Sequence, residues 1–131
     1  MSITHSAAPQ FRVFELKITS DTTLVVTGDG QFIFCCPDIL NAMNLVRAHA
    51  FVSTVSNSGN PTIQIRNVTD AVDMLSTKIT IDASEFTSYT AATPSVVDPA
   101  HDDVATGDLI SVDVDVAGNN AMGLGVILTF A

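Results

Sequence analysis

At 131 residues, 15% charged and with a formal net charge of −9, the chain has the size of one domain able to bury a core without disulfide staples. All five Lys and Arg residues lie in the first 78 positions, and eight of the fourteen acids follow them with no base among them. No basic patch is available to neutralise phosphates, which argues against nucleic-acid binding and makes an acidic membrane surface an equally poor partner.

Residues 1–10, MSITHSAAPQ, carry no periodicity and read as a flexible arm ahead of a domain over 11–131. They have neither the charged nor the apolar region of a signal peptide, so synthesis in the cytoplasm is expected. FRVFELKI (11–18) is a strand candidate, and TTLVV (22–26) a second one after a Ser-Asp corner. TGDG (27–30) reads as a tight turn, because its glycines accept positive φ and Asp-Gly favours hairpins. QFIFCC (31–36) returns as a strand ended by Pro37. Its adjacent Cys35 and Cys36 point to opposite faces, one to the core and one outward, so no disulfide joins them. Zinc and redox spacings are missing as well.

PDILNAM (37–43) predicts a single helical turn with Pro at its first position. LVRAHAFVSTV (45–55) reads as a strand, since Val46, Ala48, Ala50 and Val52 alternate with Arg47, His49 and Ser53. SNSGNP (56–61) is a turn, and PTIQIRNV (61–68) turns Ile63 and Ile65 inward against Gln64 and Arg66. TDAVDMLS (69–76) reads as a bend, and TKITID (77–82) as a strand with Ile79 and Ile81 inward. Residues 85–107 form a long polar segment, and a loop of that length is expected to be functional or packed against a partner.

AHDDVATGDLISVDVDV (100–116) holds five acids and no Lys or Arg. From Asp108 onward Ile110, Val112, Val114 and Val116 share one face, while Ser111, Asp113 and Asp115 share the other. A period of two means one buried and one wet face, which assigns Asp113 and Asp115 to solvent. The turn AGNNA and MGLGVILTF (122–130) are expected to close the chain as a hairpin, with Met122, Leu124, Val126, Leu128 and Phe130 on one face. Gly123 and Gly125 on the other face mark either a bend or a close approach by another chain. The whole predicts an all-β fold, an antiparallel β-sandwich of about eight strands with a jelly-roll-like course.

Chemistry is sparse. There is no G-x-S-x-G, no Cys with a patterned His and no H-E-x-x-H, so no catalytic residue is assigned and an enzyme is not expected. His49 reads as structural. Asp98, Asp102, Asp103 and Asp108 offer oxygen ligands for calcium, yet their spacing fits no EF-hand. They are expected as solvated loop acids, with no metal and no cofactor. A glycosidase or lectin cleft wants stacking aromatics, and the chain has no Trp and one Tyr, Tyr89. Asn67-Val68-Thr69 matches a glycosylation sequon that has no meaning without secretion.

TGDGQFIF, LNAMNLVRAHAFVSTV, IQIRNVTDAVDMLSTKITID, TAATPSVVDPAHDDVATGDLISVDVDVAG and GLGVILTF resemble a recurrent β-domain of tailed-bacteriophage structural proteins. The likeness covers about positions 24–130, and IQIRNVTDAVDMLST (63–77) is its most characteristic run. The resemblance implies a virion protein: a capsid cement or decoration protein on the head surface, bound to the major capsid protein lattice. The homotrimer expected with it follows from that role and not from the resemblance itself. The rival it leaves is a tail-fibre or tail-tip module contacting the host, for which a chain of this length is expected to lack a shaft. The arm, through Ser2, Ile3, Thr4, His5 and Pro9, is the expected capsid contact, because it has no core pattern and needs an external partner to order.

Overall fold

The computed structural model describes residues 10–131, so the arm residues Ser2, Ile3, Thr4, His5 and Pro9 lie outside what it describes. The apolar–polar alternations fold as ten strands. They are β1 (Arg12–Lys17), β2 (Gly28–Cys35), β3 (Leu45–Phe51), β4 (Thr62–Asn67), β5 (Val72–Asp73), β6 (Leu75–Thr77), β7 (Ile79–Thr80), β8 (Val96–Val97), β9 (Leu109–Val116) and β10 (Gly125–Phe130). Helix among the described residues is confined to two 3-10 turns, Asp38–Leu40 and Ser88–Thr90. One sheet has the order β1-β10-β3, the other β2-β9-β4-β5 with β7 also on β4, and β6 pairs with β8. Every pairing is antiparallel. The result is an all-β sandwich.

The expected inward faces fill its core. Ile110, Val112 and Val114 of β9, Val126, Leu128 and Phe130 of β10, and Ile63 and Ile65 of β4 are all buried. Burying each such side chain contributes about 1.5–3 kcal/mol. Cys36 is buried and Cys35 exposed, as adjacent strand positions require.

Several local expectations give way. AGNNA does not make a hairpin: β9 already has β2 on one edge and β4 on the other, so β10 crosses to the second sheet. TTLVV is not a strand. Leu24 makes a single bridge to Met122, and the Val25 N–H donates to the Ala121 carbonyl. TGDG does not turn back; Gly28, Asp29 and Gly30 begin β2 as a bulge, with the register shifting between Gly28 and Phe32. The 69–76 bend contains β5 and most of β6. Gly125 has no room for another chain, because a Cβ there would stand 2.1 Å from the Phe51 ring. Val46 and Val116, expected inward, are exposed near strand ends.

The two flanks of the sandwich differ. On the β3 side the backbone groups pointing away from β10 are satisfied by the long polar segment. The Val52 N–H donates to the Phe86 carbonyl, the Ala50 N–H to Ser88 Oγ, and Ser95 Oγ donates to the Ala48 carbonyl. The partner of the 85–107 segment is therefore its own β3. On the opposite flank β1 and β2 are both edge strands, with no neighbour beyond them among the described residues. Phe14 of β1 stacks on Phe34 of β2 at 6.2 Å, tying the two layers together there. Val13 and Ile33 are 61% and 54% exposed along this flank, and exposed edge strands are a natural template for pairing.

Candidate functional site

The outer face of the five-stranded sheet carries two adjoining hollows of about 250 and 370 Å³ that share Asp29, Arg66 and Asp113. Three strands supply most of the lining, and Asp73 of β5 and Lys78 complete it. β9 supplies Ser111, Asp113 and Asp115, β4 supplies Gln64 and Arg66, and the bulged start of β2 lays Asp29 and Gly30 over the top.

Asp113 was expected in solvent and is 4% exposed. The bulge is the reason. It carries the backbone across the outer face, where the Gly30 N–H donates to Asp113 Oδ1 at 2.7 Å. Gly30 reaches this position at φ 64, a left-handed conformation that glycine adopts without cost. Ser111 Oγ donates to the same oxygen at 3.0 Å. The carboxylate is thus held by two donors, an arrangement stronger than a pair of neutral hydrogen bonds.

Charges around it are largely paired. Arg66 meets Asp73 at 3.0 Å, and Lys78 meets Asp115 at 2.6 Å. The Asp115 hydrogen bond, together with its charge, holds the Lys78 ammonium above its ordinary value. With both cations neutralised, Asp29 and Asp113 leave the recess acidic. Gln64, expected to point into water, is buried. Its Oε1 accepts from the Ile65 and Leu75 N–H groups, and its Nε2 donates to the Leu75 carbonyl. A side chain here replaces sheet hydrogen bonds in the break between β5 and β7. The recess therefore offers acceptors and neutralised ion pairs, equipment for recognising polar groups.

The four acids proposed as calcium ligands do not share a site. Asp98 Oδ1 accepts from the Ala100 N–H, and its Oδ2 pairs with His101 Nδ1 at 3.0 Å. Asp108, expected in solvent, is 7% exposed; its Oδ2 accepts from Asn67 Nδ2 and from the Ala105 N–H. Asp103 lies on a bridge to Asn44, and the Asp102 carbonyl accepts from the Leu45 N–H. Among the described residues no three His, Cys, Asp or Glu side chains converge as a metal site. Asn67 of the sequon is fully buried, its amide spent on Asp108 and Asp70.

His49 has its Nδ1 2.9 Å from Ser88 Oγ and its ring stacked on Tyr89 at 4.0 Å. Burial, with the nearby Arg47 charge, lowers its pKa. The Ser88 hydroxyl also receives the Ala50 N–H, so the pair closes the β3 edge. Of the recess residues, sequence pattern singled out Asp113 and Asp115 as acids, Gln64 and Arg66 as an outward face, and Asp29 only as part of a turn. Lys78 carried no signal of its own. The Asp-Gly beside a strand is the one local clue to the bulge.

No protein-family model matches the chain, and no curated protein matches it.

Proposed function

We propose that this chain is a structural protein of a tailed-phage virion, a cement or decoration subunit that binds the major capsid protein lattice on the head. The observation that carries this reading is the contrast between the flanks. One is sealed by the chain's own 86–95 segment, while on the other the outer edges of β1 and β2 have no neighbour among the described residues and carry exposed apolar side chains. Such an edge suits addition to a larger assembly. The low charge density, 15% of residues, supports it as well, because a sparsely charged surface is less repelled by other protein surfaces. The sequence resemblance supplies the virion context.

The mixed-charge recess on the other face favours a second reading, a tail-fibre or tail-tip module that contacts the host. Heads and tails purified apart from a lysate separate the two. The tagged chain is expected to sediment with heads. Sedimentation with tails or host envelopes, or with neither, would overturn the cement reading.

A further inference from the structure

We infer that two copies of this chain pair through β1, antiparallel and about a twofold axis at Leu16, to make one continuous six-stranded sheet. Self-association of this kind does not depend on which particle the chain joins.

The hydrogen-bond pattern fixes which groups of β1 are available. Ile18, next after the strand, donates its N–H to the Leu124 carbonyl of the segment leading into β10. In an antiparallel pair alternate residues point their backbone groups to the same neighbour, so Leu16, Phe14 and Arg12 also face β10. The same parity predicts that Ala131 faces β3, and Ala131 and Asn44 do exchange both hydrogen bonds. Val13, Glu15 and Lys17 therefore point their N–H and C=O groups away from the sheet. All three are exposed.

Side-chain charge then selects the register. With Leu16 opposite Leu16 of the second copy, Glu15 faces the second copy's Lys17 and Lys17 its Glu15. Both are pairs whose backbones exchange hydrogen bonds across the new junction. On the inner face Phe14 meets Ile18 of the second copy, and these partly buried side chains continue the core. Sliding to the next allowed register sets Glu15 opposite Glu15, and like charges directly opposite destabilise a pairing. Lys17 already reaches Asp21 at 2.5 Å, and in the pair its ammonium lies between two carboxylates. β2 is the poorer edge: it carries the bulge near Gly28, which twists an edge away from pairing, whereas β1 runs against β10 without a register shift. Closed twofold symmetry uses one patch twice, in place of the threefold ring that a cement role implies.

Charge reversal tests the register. Sedimentation equilibrium at high micromolar concentration is expected to give the mass of two copies for the wild type. Glu15→Lys and Lys17→Glu should each weaken association about tenfold or more, since each sets two like-charge pairs face to face. The double variant should restore it. A monomer or a trimer for the wild type, or failure of the double variant to recover, would overturn the proposal. Lys17 also donates to the Gly123 carbonyl, so melting curves accompany every variant, and a second probe decides if Lys17→Glu fails to fold. In a Cys35→Ser background, Leu16→Cys places two thiols on the axis, at the roughly 4.5 Å Cα separation of a pair without hydrogen bonds. That separation lies within disulfide range. Mild oxidation should link the copies, and absence of the linked species under non-reducing electrophoresis would refute the register.

Discussion

Replacing Asp113 by Ala tests whether the bulge-covered carboxylate holds the outer face together. Its Oδ1 receives the Gly30 N–H at 2.7 Å and Ser111 Oγ at 3.0 Å. A hydrogen bond to a charged group contributes about 1.5–3 kcal/mol, so two set an upper bound of about 3–6 kcal/mol. Three effects lower it. Gly30 is exposed and its N–H regains water, the Ser111 hydroxyl rotates to another acceptor, and deletion relieves repulsion among the acids of the recess. A net loss of about 2 kcal/mol remains, which for a domain of this size lowers Tm by roughly 6–10 °C. Asp113→Asn keeps an acceptor and should lose about half as much. Asp115→Asn removes only a partly exposed ion pair with Lys78, worth under about 1 kcal/mol. Thermal unfolding of the three variants in one neutral buffer checks the order. If Asp113→Ala costs less than about 0.5 kcal/mol, the level of an ordinary surface change, or less than Asp115→Asn, the reasoning fails.

Other outcomes follow from the same contacts. Gly125→Ala should cost about 1–3 kcal/mol by driving a methyl group into the Phe51 ring, and Phe51→Leu in the same chain should recover part of the loss; equal melting of Gly125→Ala and wild type would exclude the contact. The lowered pKa of His49 means the native state binds fewer protons than the unfolded one below the ordinary histidine value, so its contribution is complete above that value and declines as pH falls toward the folded one. Accordingly, the stability gap between wild type and His49→Asn should narrow from pH about 7.5 to about 5, and a gap that widens would reverse the assignment. Ala42 sits at φ 63, where an L side chain is strained, and Ala42→Gly should stabilise by up to about 1 kcal/mol in chemical denaturation. Destabilisation would show that its methyl group packs usefully.

The inward faces were legible because a strand's period of two reports them directly: Ile63 and Ile65, Ile79 and Ile81, Ile110, Val112 and Val114, and Leu124, Val126, Leu128 and Phe130 lie where alternation puts them, and it fails only towards strand ends such as Val116. Alternation does not say whether the other face is covered. Asp113 and Gln64 were assigned correctly to the outer side and wrongly to water, because their covers come from Gly30 and Leu75, whose approach depends on a bulge and on a break between short strands. The β9–β10 hairpin failed for a similar reason. Neighbours in sequence pair only when an edge is free, and both edges of β9 are taken by strands from earlier in the chain. For the calcium candidates, proximity in sequence brought four acids into one loop, but each carboxylate that is satisfied locally has its own backbone donor.

The sheet β1-β10-β3 has consequences for how the domain is made. Its first strand pairs with its last, so one layer cannot be completed until β10 has left the ribosome. Such pairing between distant segments makes a domain slow to fold, since loop closure must precede the contacts that reward it. β1 and the uncharged run Phe32–Cys36 are expected to wait as unpaired strands during that interval, the stage at which such segments aggregate. Chains stalled with β10 inside the exit tunnel should therefore show β1 amides exchanging freely with solvent. Protection of β1 before β10 emerges would reveal a different order of assembly.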